Sequence, residues 1–163
     1  AQVFADVYGV KLMGFRYFNI FGPRQDSDGA YAAVIPLLVK SIIKNTPAYI
    51  NGDGEQTRDF TFIDNAVQMN IKGMLTDNPD ALNTVYNVAV GESFSVNYLY
   101  NACCKHLESS LAAIYREPRE GDIRNSLADI SRAKELLSYQ PTKSFAEGLA
   151  ETIEFFKKRY SSV

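Results

Sequence analysis

Three clusters of side chains in this sequence have the types and settings that do chemistry. The first is Asn19, a lone amide in the apolar run Phe15-Arg16-Tyr17-Phe18-Asn19-Ile20-Phe21. A polar amide in a buried strand must find hydrogen-bond partners. It does so either by holding a ligand or by capping a neighbouring loop. The second cluster is Gly52-Asp53-Gly54-Glu55-Gln56-Thr57-Arg58-Asp59-Phe60, a sharp turn that feeds a strand carrying Arg58. A guanidinium is a fixed fork of donors suited to carboxylate or phosphate. Arg58 therefore either reads an anionic ligand or pairs with Asp53, Asp59 or Asp64. The third is Arg119-Glu120-Gly121-Asp122, where an Arg and an Asp in one loop either serve a phosphate and a hydroxyl together or pair with each other. Asn19, Arg58 and Arg119 together suit one anionic, hydroxyl-rich ligand, such as a diphosphate attached to a sugar.

Other chemistries are poorly served. His106 is the single histidine and has no evident partner in the local sequence, so a Ser-His-Asp arrangement has little support. Cys103 and Cys104 are adjacent, which disfavours a disulfide between them, and two ligands do not make a zinc site. Cys103 reads as a core residue. Neither G-x-G-x-x-G nor G-x-x-x-x-G-K-[ST] occurs, so no Gly-rich phosphate cradle is present. Gly52 and Gly54 read as parts of a tight turn.

The elements that must position these groups follow from hydrophobic spacing. Residues 11–21 form an apolar run closed by Gly22-Pro23, as expected of one buried strand. Val34, Ile35, Leu38, Val39 and Ile42 repeat at helical spacing, with Pro36 tolerated in the first turn. Tyr49-Ile50, residues 57–63 and residues 85–90 read as strands. Asp64 is the expected N-cap of a helix whose apolar stripe is Val67, Ile71, Met74 and Leu75. Ser95 caps a helix facing inward through Val96, Leu99, Tyr100, Cys103 and Leu107. Asp129 is expected to cap a short helix. Ser144 and Glu147 make a capping box for a last helix with Phe145, Leu149, Ile153, Phe156 and Tyr160 on its apolar face and a Glu154–Lys158 pair on its surface. Strands alternating with helices predict an α/β fold with parallel pairing.

Composition sets outer limits. With 17 Lys and Arg against 19 Asp and Glu, the net charge is −2. That balance provides no basic field for nonspecific binding to nucleic acid or anionic membranes. Any anion site must be local. No apolar stretch reaches the ~20 residues that span a bilayer, so no membrane partner is expected. Residues 1–8 lack the pattern of a secretion signal, and the few cysteines suit a reducing, cytoplasmic setting. Val3, Phe4 and Val7 lie on one helical face ended by Gly9, with no N-cap before them, which suggests a chain that begins inside a helix.

The same chemistry-bearing segments carry a family likeness. Arg16-Tyr17-Phe18-Asn19-Ile20-Phe21-Gly22-Pro23-Arg24-Gln25 resembles a strand signature of the NAD-dependent epimerase/dehydratase family, the extended short-chain dehydrogenases/reductases. In order, and at similar spacing, follow Asn51-Gly52-Asp53-Gly54 through Arg58-Asp59-Phe60 to Asp64, Tyr86-Asn87-Val88-Ala89-Val90-Gly91, Arg119-Glu120-Gly121-Asp122 and Ala128-Asp129-Ile130-Ser131. Each segment alone is weak; five in order over nearly the whole chain are specific. The likeness is greatest to UDP-N-acetylglucosamine 4-epimerases, whose substrate-side loop is similar to Gly29-Ala30-Tyr31-Ala32-Ala33-Val34-Ile35-Pro36.

This resemblance implies a substrate site. Asn19 would lie near the diphosphate and Ala33 and Val34 beside the ligand. Tyr49 and Asn51 would lie at the uridine, Arg58 and Arg119 on the diphosphate, and Asp122 on the ribose. Tyr17 would approach the nicotinamide. The fold implied is the last strands of a Rossmann-type sheet plus a small substrate-binding α/β subdomain. The catalytic Y-x-x-x-K and the Gly-rich NAD-binding portion of the family are missing, and Tyr8, followed by Gly9-Val10-Lys11-Leu12, does not supply the former. Smaller departures are Arg132, where Lys is common, and Ser138, where Gly is common.

Residues 1–163 are therefore expected to be the substrate-binding C-terminal portion of a UDP-sugar 4-epimerase of the UDP-GlcNAc/GalNAc type, inactive alone. NAD would bind the full-length parent and not this chain. The parent is expected to be a homodimer, and the exposed strand edge at residues 11–21 is expected to favour self-association of the fragment. A dehydratase or reductase of the same family, or a non-catalytic nucleotide-sugar-binding module, are the alternatives.

Overall fold

A computed structural model describes residues 2–28 and 33–161. Helix α1 (Gln2–Tyr8) leads to β1 (Met13–Tyr17) and β2 (Ile20–Phe21), then α2 (Val34–Ile43), β3 (Ala48–Asn51), β4 (Thr57–Arg58), β5 (Thr61–Phe62) and α3 (Ile63–Leu75). After a single 3-10 turn come β6 (Thr84–Val88), β7 (Phe94–Ser95), α4 (Val96–His106), β8 (Ala113–Arg116), α5 (Ser131–Leu137) and α6 (Phe145–Ser161). The strands pair two by two. β1 with β6, β2 with β5 and β3 with β8 are parallel, and β4 with β7 is antiparallel. The expected α/β alternation with parallel pairing is present.

Two cores lie under these pairs. One gathers α2, α4 and α6 around β2, β3 and β5, with Phe21, Ile35, Leu38, Ile50, Phe62, Leu99, Cys103, Ile153 and Phe156 all buried. The other joins α3 and α5 to β1 and β6 through Met69, Tyr86, Val88, Ile130 and Tyr139. The expected single strand over residues 57–63 is two short ones, β4 and β5, and Asp59 and Thr61 are buried together with Phe60 and Phe62, so the expected in–out alternation fails there. The Asp59 carboxylate accepts from the backbone N–H of Val90 (3.0 Å) and Gly91 (2.9 Å) and from Thr61 Oγ1 (3.3 Å). A carboxylate with three donors tolerates burial, and this one ties the β4–β5 segment to the end of β6.

Four local expectations need correcting. The single strand over residues 11–21 is two strands, because the chain turns at Asn19 with φ of 34° and changes partner from β6 to β5. Asn tolerates this left-handed region better than most residues. Asp64 does not cap α3, which starts one residue earlier after Phe62, without a side-chain cap. The stripe Val67, Ile71, Met74 and Leu75 faces outward, with Met74 and Leu75 about three-quarters exposed, 75% and 74%. α3 packs inward through Asn65, Ala66 and Met69 instead, and a Cβ on Gly73 would come within 2.6 Å of Phe15. Small residues admit close approach to β1, and buried Asn65 is satisfied by Lys143 O, Thr142 N and Lys143 N. Finally, α5 starts at Ser131 rather than directly after Asp129, although Asp129 Oδ1 still accepts from Ser131 N at 2.8 Å.

The expected serine caps are present, whereas His106 departs from its expectation. Ser95 accepts from Tyr98 N, and Ser144 and Glu147 bond each other reciprocally. Glu154 pairs with Lys157 and with His106 (3.5 Å), so the histidine does have a partner, contributed by α6. Ser138 ends α5 in the left-handed region, φ 49° and ψ 34°, which accounts physically for the glycine expected there.

Candidate functional site: an anion-receptive cavity

The site is built against the first of these cores, whose Phe21, Ile35, Ile50 and Phe60 form its apolar floor. Parallel β3 and β8 run in register, Asn51 opposite Arg116, and both end on one side of the molecule. Along β3, Ala48 and Ile50 point into the core, so strand alternation sends Tyr49 and Asn51 outward on the other face. Ligand sites of parallel sheets lie at such carboxyl ends. The loop after β8 turns back over this end at Arg119–Asp122, closed by the N–H of Asp122 donating to Arg119 O, with Gly121 at φ 76°. A residue with a Cβ pays a strain penalty at that φ, which explains the glycine in the motif.

A cavity of about 280 Å³ opens between these elements. Its wall includes Asn19 from the β1–β2 turn, Ala33 and Val34 at the start of α2, Tyr49 and Asn51 on β3, Arg58 on β4, and Arg119 and Asp122 from the loop after β8. Segments separated by up to a hundred positions thus converge on one recess. Ala30 and Tyr31 of the substrate-side loop lie outside the described residues. Tyr17 is not part of the wall: the break at Asn19 turns it away, and its hydroxyl donates to Asn70 Oδ1 at 3.0 Å. The sequence reading missed Gln56, Phe60 and Val96, which also line the recess. Gln56 stands in the same turn motif as Arg58, two positions before it, and that placement was the available signal.

The polar groups divide into held and free. Arg58 is mostly buried. Its Nη1 donates to Thr57 O at 2.7 Å, and its Nη2 donates to Asp122. None of the three locally expected acids is its partner. Asp53 binds Arg124 bidentately, at 2.7 and 2.8 Å, and Asp59 is committed to backbone donors. Asp122 therefore pairs with Arg58 and not with Arg119. The Arg119 side chain is exposed and has no ion pair among the described residues. Asn19 is exposed rather than buried, and its one side-chain bond among the described residues, to Asp59 O, is long at 3.4 Å. Its amide is left available to the cavity.

The electrostatics follow from this inventory. Two guanidiniums and one carboxylate face the recess, and the N-terminus of α2 begins at its wall with no side-chain cap on Ala33. Uncapped first-turn N–H groups carry positive partial charge. The recess is thus locally cationic in a chain of net charge −2. An adjoining cavity of about 470 Å³ shares Asn51, Gln56, Arg119 and Asp122 and adds Asp53, Arg116 and Arg124. The guanidinium of Arg124 holds the Asp53 carboxyl down at a pKa of about 2, and this pair pins the 51–54 turn to the segment beside Thr57. Gln56 Nε2 donates to Asn51 O at 2.8 Å and braces the wall between the cavities.

No dinucleotide cradle occurs among the described residues. The Gly52-Asp53-Gly54 turn enters a strand, not a helix, and a Cβ on Gly54 would collide with Asn97 Oδ1 at 2.0 Å. The closeness of the turn to α4 explains that glycine without a phosphate. Among the described residues, no helix is long and apolar enough to cross a membrane.

Comparison with known proteins extends these observations. Residues 1–152 match the family model described as GDP-mannose 4,6 dehydratase. The UDP-glucose 4-epimerase of Mycolicibacterium smegmatis is 31% identical over 158 residues, covering 97% of this chain and 49% of that protein. The solved structure of the UDP-N-acetylglucosamine 4-epimerase of Methanobrevibacter ruminantium, in complex with UDP-N-acetylmuramic acid, is 40% identical, with a TM-score of 0.89 over 97% of this chain and 50% of that one. That of the UDP-glucuronic acid 4-epimerase of Bacillus cereus, with UDP-glucuronic acid and NAD, is 30% identical, with a TM-score of 0.88 over 98% of this chain and 49% of that one. The chain spans about half the length of the relatives it matches. On these grounds the chain belongs to the GDP-mannose 4,6 dehydratase family of NAD-dependent epimerases and dehydratases, and its fold is that of the C-terminal half of the extended short-chain dehydrogenase epimerases.

Proposed function

We propose that this chain is the substrate-binding part of an NAD-dependent UDP-sugar 4-epimerase of the UDP-GlcNAc/GalNAc type. The observation that carries the reading is the convergence of Asn19, Arg58, Arg119 and Asp122 on one recess at the carboxyl end of β3 and β8. Arg58 and Arg119 suit a diphosphate bridging β4 and the loop after β8. Asp122 accepts from ribose hydroxyls, and Asn19 offers an amide to the ester oxygens or the sugar. Tyr49 and Asn51 border the uridine, and Ala33 and Val34 flank the ligand at the uncapped end of α2. The identity shared with a UDP-N-acetylglucosamine 4-epimerase, 40%, supports the choice of sugar.

In this reading the chain contributes affinity and orientation. Fixing the substrate relative to the reacting groups lowers the entropic part of the barrier by up to several kcal/mol. NAD belongs to the longer parent, where Tyr17 faces its nicotinamide, and the chain alone is inactive. The test is incubation of the purified chain with UDP-N-acetylglucosamine and NAD, together with calorimetric titration by UDP. We expect no epimerised product and measurable UDP binding. Product above the blank overturns the inactivity, and absence of UDP binding overturns the assignment of the recess.

A further inference from the structure

Beside the anion-receptive recess lies Arg116, which none of the roles above uses and which stacks on Tyr49. The Cζ of Arg116 lies 3.1 Å from the centroid of the Tyr49 ring. Its side chain has no hydrogen bond or ion pair among the described residues, while its backbone carbonyl accepts from Gly52 N at 2.8 Å. Tyr49 lines the first cavity and Arg116 the second. The two planar groups therefore stand on the boundary that a ligand occupying both cavities must cross.

The backbone beneath them is rigid. Arg116 is opposite Asn51 in the β3–β8 register, two positions beyond Tyr49, so it reaches back diagonally over the ring. Ala48 and Ile50, on either side of Tyr49, are 0% and 1% exposed. The ring is thus mounted on an anchored strand, and the guanidinium is held over it by stacking alone. A guanidinium stacks readily on an aromatic face, and nucleobases stack on both kinds of plane.

We propose that Arg116 and Tyr49 form a clamp for the nucleobase. In the structure the guanidinium covers the ring. On binding it lifts away, and the base enters between the two planes. The inference rests on the nucleoside-diphosphate reading of the recess. It adds Arg116 as a residue that favours a ligand with a base over a bare diphosphate. Because every base has a π-face, the clamp supplies affinity for a base without choosing among bases.

The experiment uses the full 163-residue chain, titrated by calorimetry with UDP and separately with inorganic pyrophosphate. Arg116→Ala is expected to weaken UDP about tenfold, the scale of one lost stacking partner, and to leave pyrophosphate within about twofold. Arg116→Lys keeps the charge and loses the plane, and is expected to behave towards UDP as Arg116→Ala does. In the wild type, UDP shifts the tyrosine ultraviolet difference spectrum, and Tyr49→Leu removes that shift. Full UDP affinity in Arg116→Lys, or equal losses for UDP and pyrophosphate, shows a point charge and overturns the clamp. Unchanged UDP affinity in Arg116→Ala overturns it while leaving the recess assignment standing. A wild-type chain that binds no UDP overturns both.

Discussion

Replacing Arg58 by Gln separates ligand binding from stability, because the structure assigns the guanidinium two structural bonds beside its expected ligand role. In the free chain it makes one bond to Thr57 O and one pair with Asp122, a carboxylate whose side chain is 35% exposed. Arg58 itself is only 16% exposed, so losing this pair and the charged bond to Thr57 O together costs about 2–3 kcal/mol. For a chain of this size that corresponds to a fall in Tm of about 4–12 °C. Towards a diphosphate the same guanidinium makes charge-assisted bonds worth about 1.5–3 kcal/mol, so UDP affinity is expected to drop about 10- to 150-fold. Calorimetric titration with UDP and thermal unfolding monitored by circular dichroism read the two quantities on one sample. Arg58→Lys, which keeps the charge without the fork, should recover only part of the affinity. An affinity loss below about threefold with an intact fold refutes the assignment of Arg58 to the ligand. A Tm collapse of tens of degrees refutes the claim that its structural role is confined to these two bonds.

Three further outcomes follow from local geometry. Gly148→Ala places a Cβ 2.6–2.7 Å from three atoms of the buried Phe62 side chain, and overpacking of about 1–3 kcal/mol outweighs a gain of about 1 kcal/mol in helix propensity, so urea denaturation should show a less stable protein. Ser138→Gly relieves a left-handed residue at the end of α5, and Tm should rise by about 2–4 °C for about 1 kcal/mol. Asp53 has its folded pKa lowered to about 2 from an ordinary value of 3.8, so its contribution is present above pH 4 and is lost as pH falls from about 4 to 2; in Arg124→Gln that part of the acid limb of the stability profile should disappear.

Much of the site was legible because its members sit in short motifs. Asn19, the Gly52–Phe60 turn and strand, and Arg119–Asp122 announce themselves by residue type, and they do reach one recess. Their pairing was not legible. Arg58 has three acids close in sequence, yet its partner is Asp122, 64 positions away, because β4 and the loop after β8 are brought together by β3–β8 pairing. The apolar stripe of α3 misled in the opposite sense. Periodicity identifies a hydrophobic face, but Ala66, Met69 and Gly73 approach β1 and leave Val67, Ile71, Met74 and Leu75 in the open.

The sequence by itself determined the alternation of elements, the Ser95 cap and the Ser144–Glu147 capping box, the core stripes of α2, α4 and α6, and the chemical identity of the polar groups that line the recess. These depend on spacing and residue type, which act over a few positions. Only the tertiary structure decided where the run of residues 11–21 breaks, which acid holds Arg58, that Arg119 has no ion pair among the described residues, and that Arg116 lies over Tyr49. Those outcomes depend on which strands pair and in what register, and register is set by the burial of whole faces rather than by any single residue.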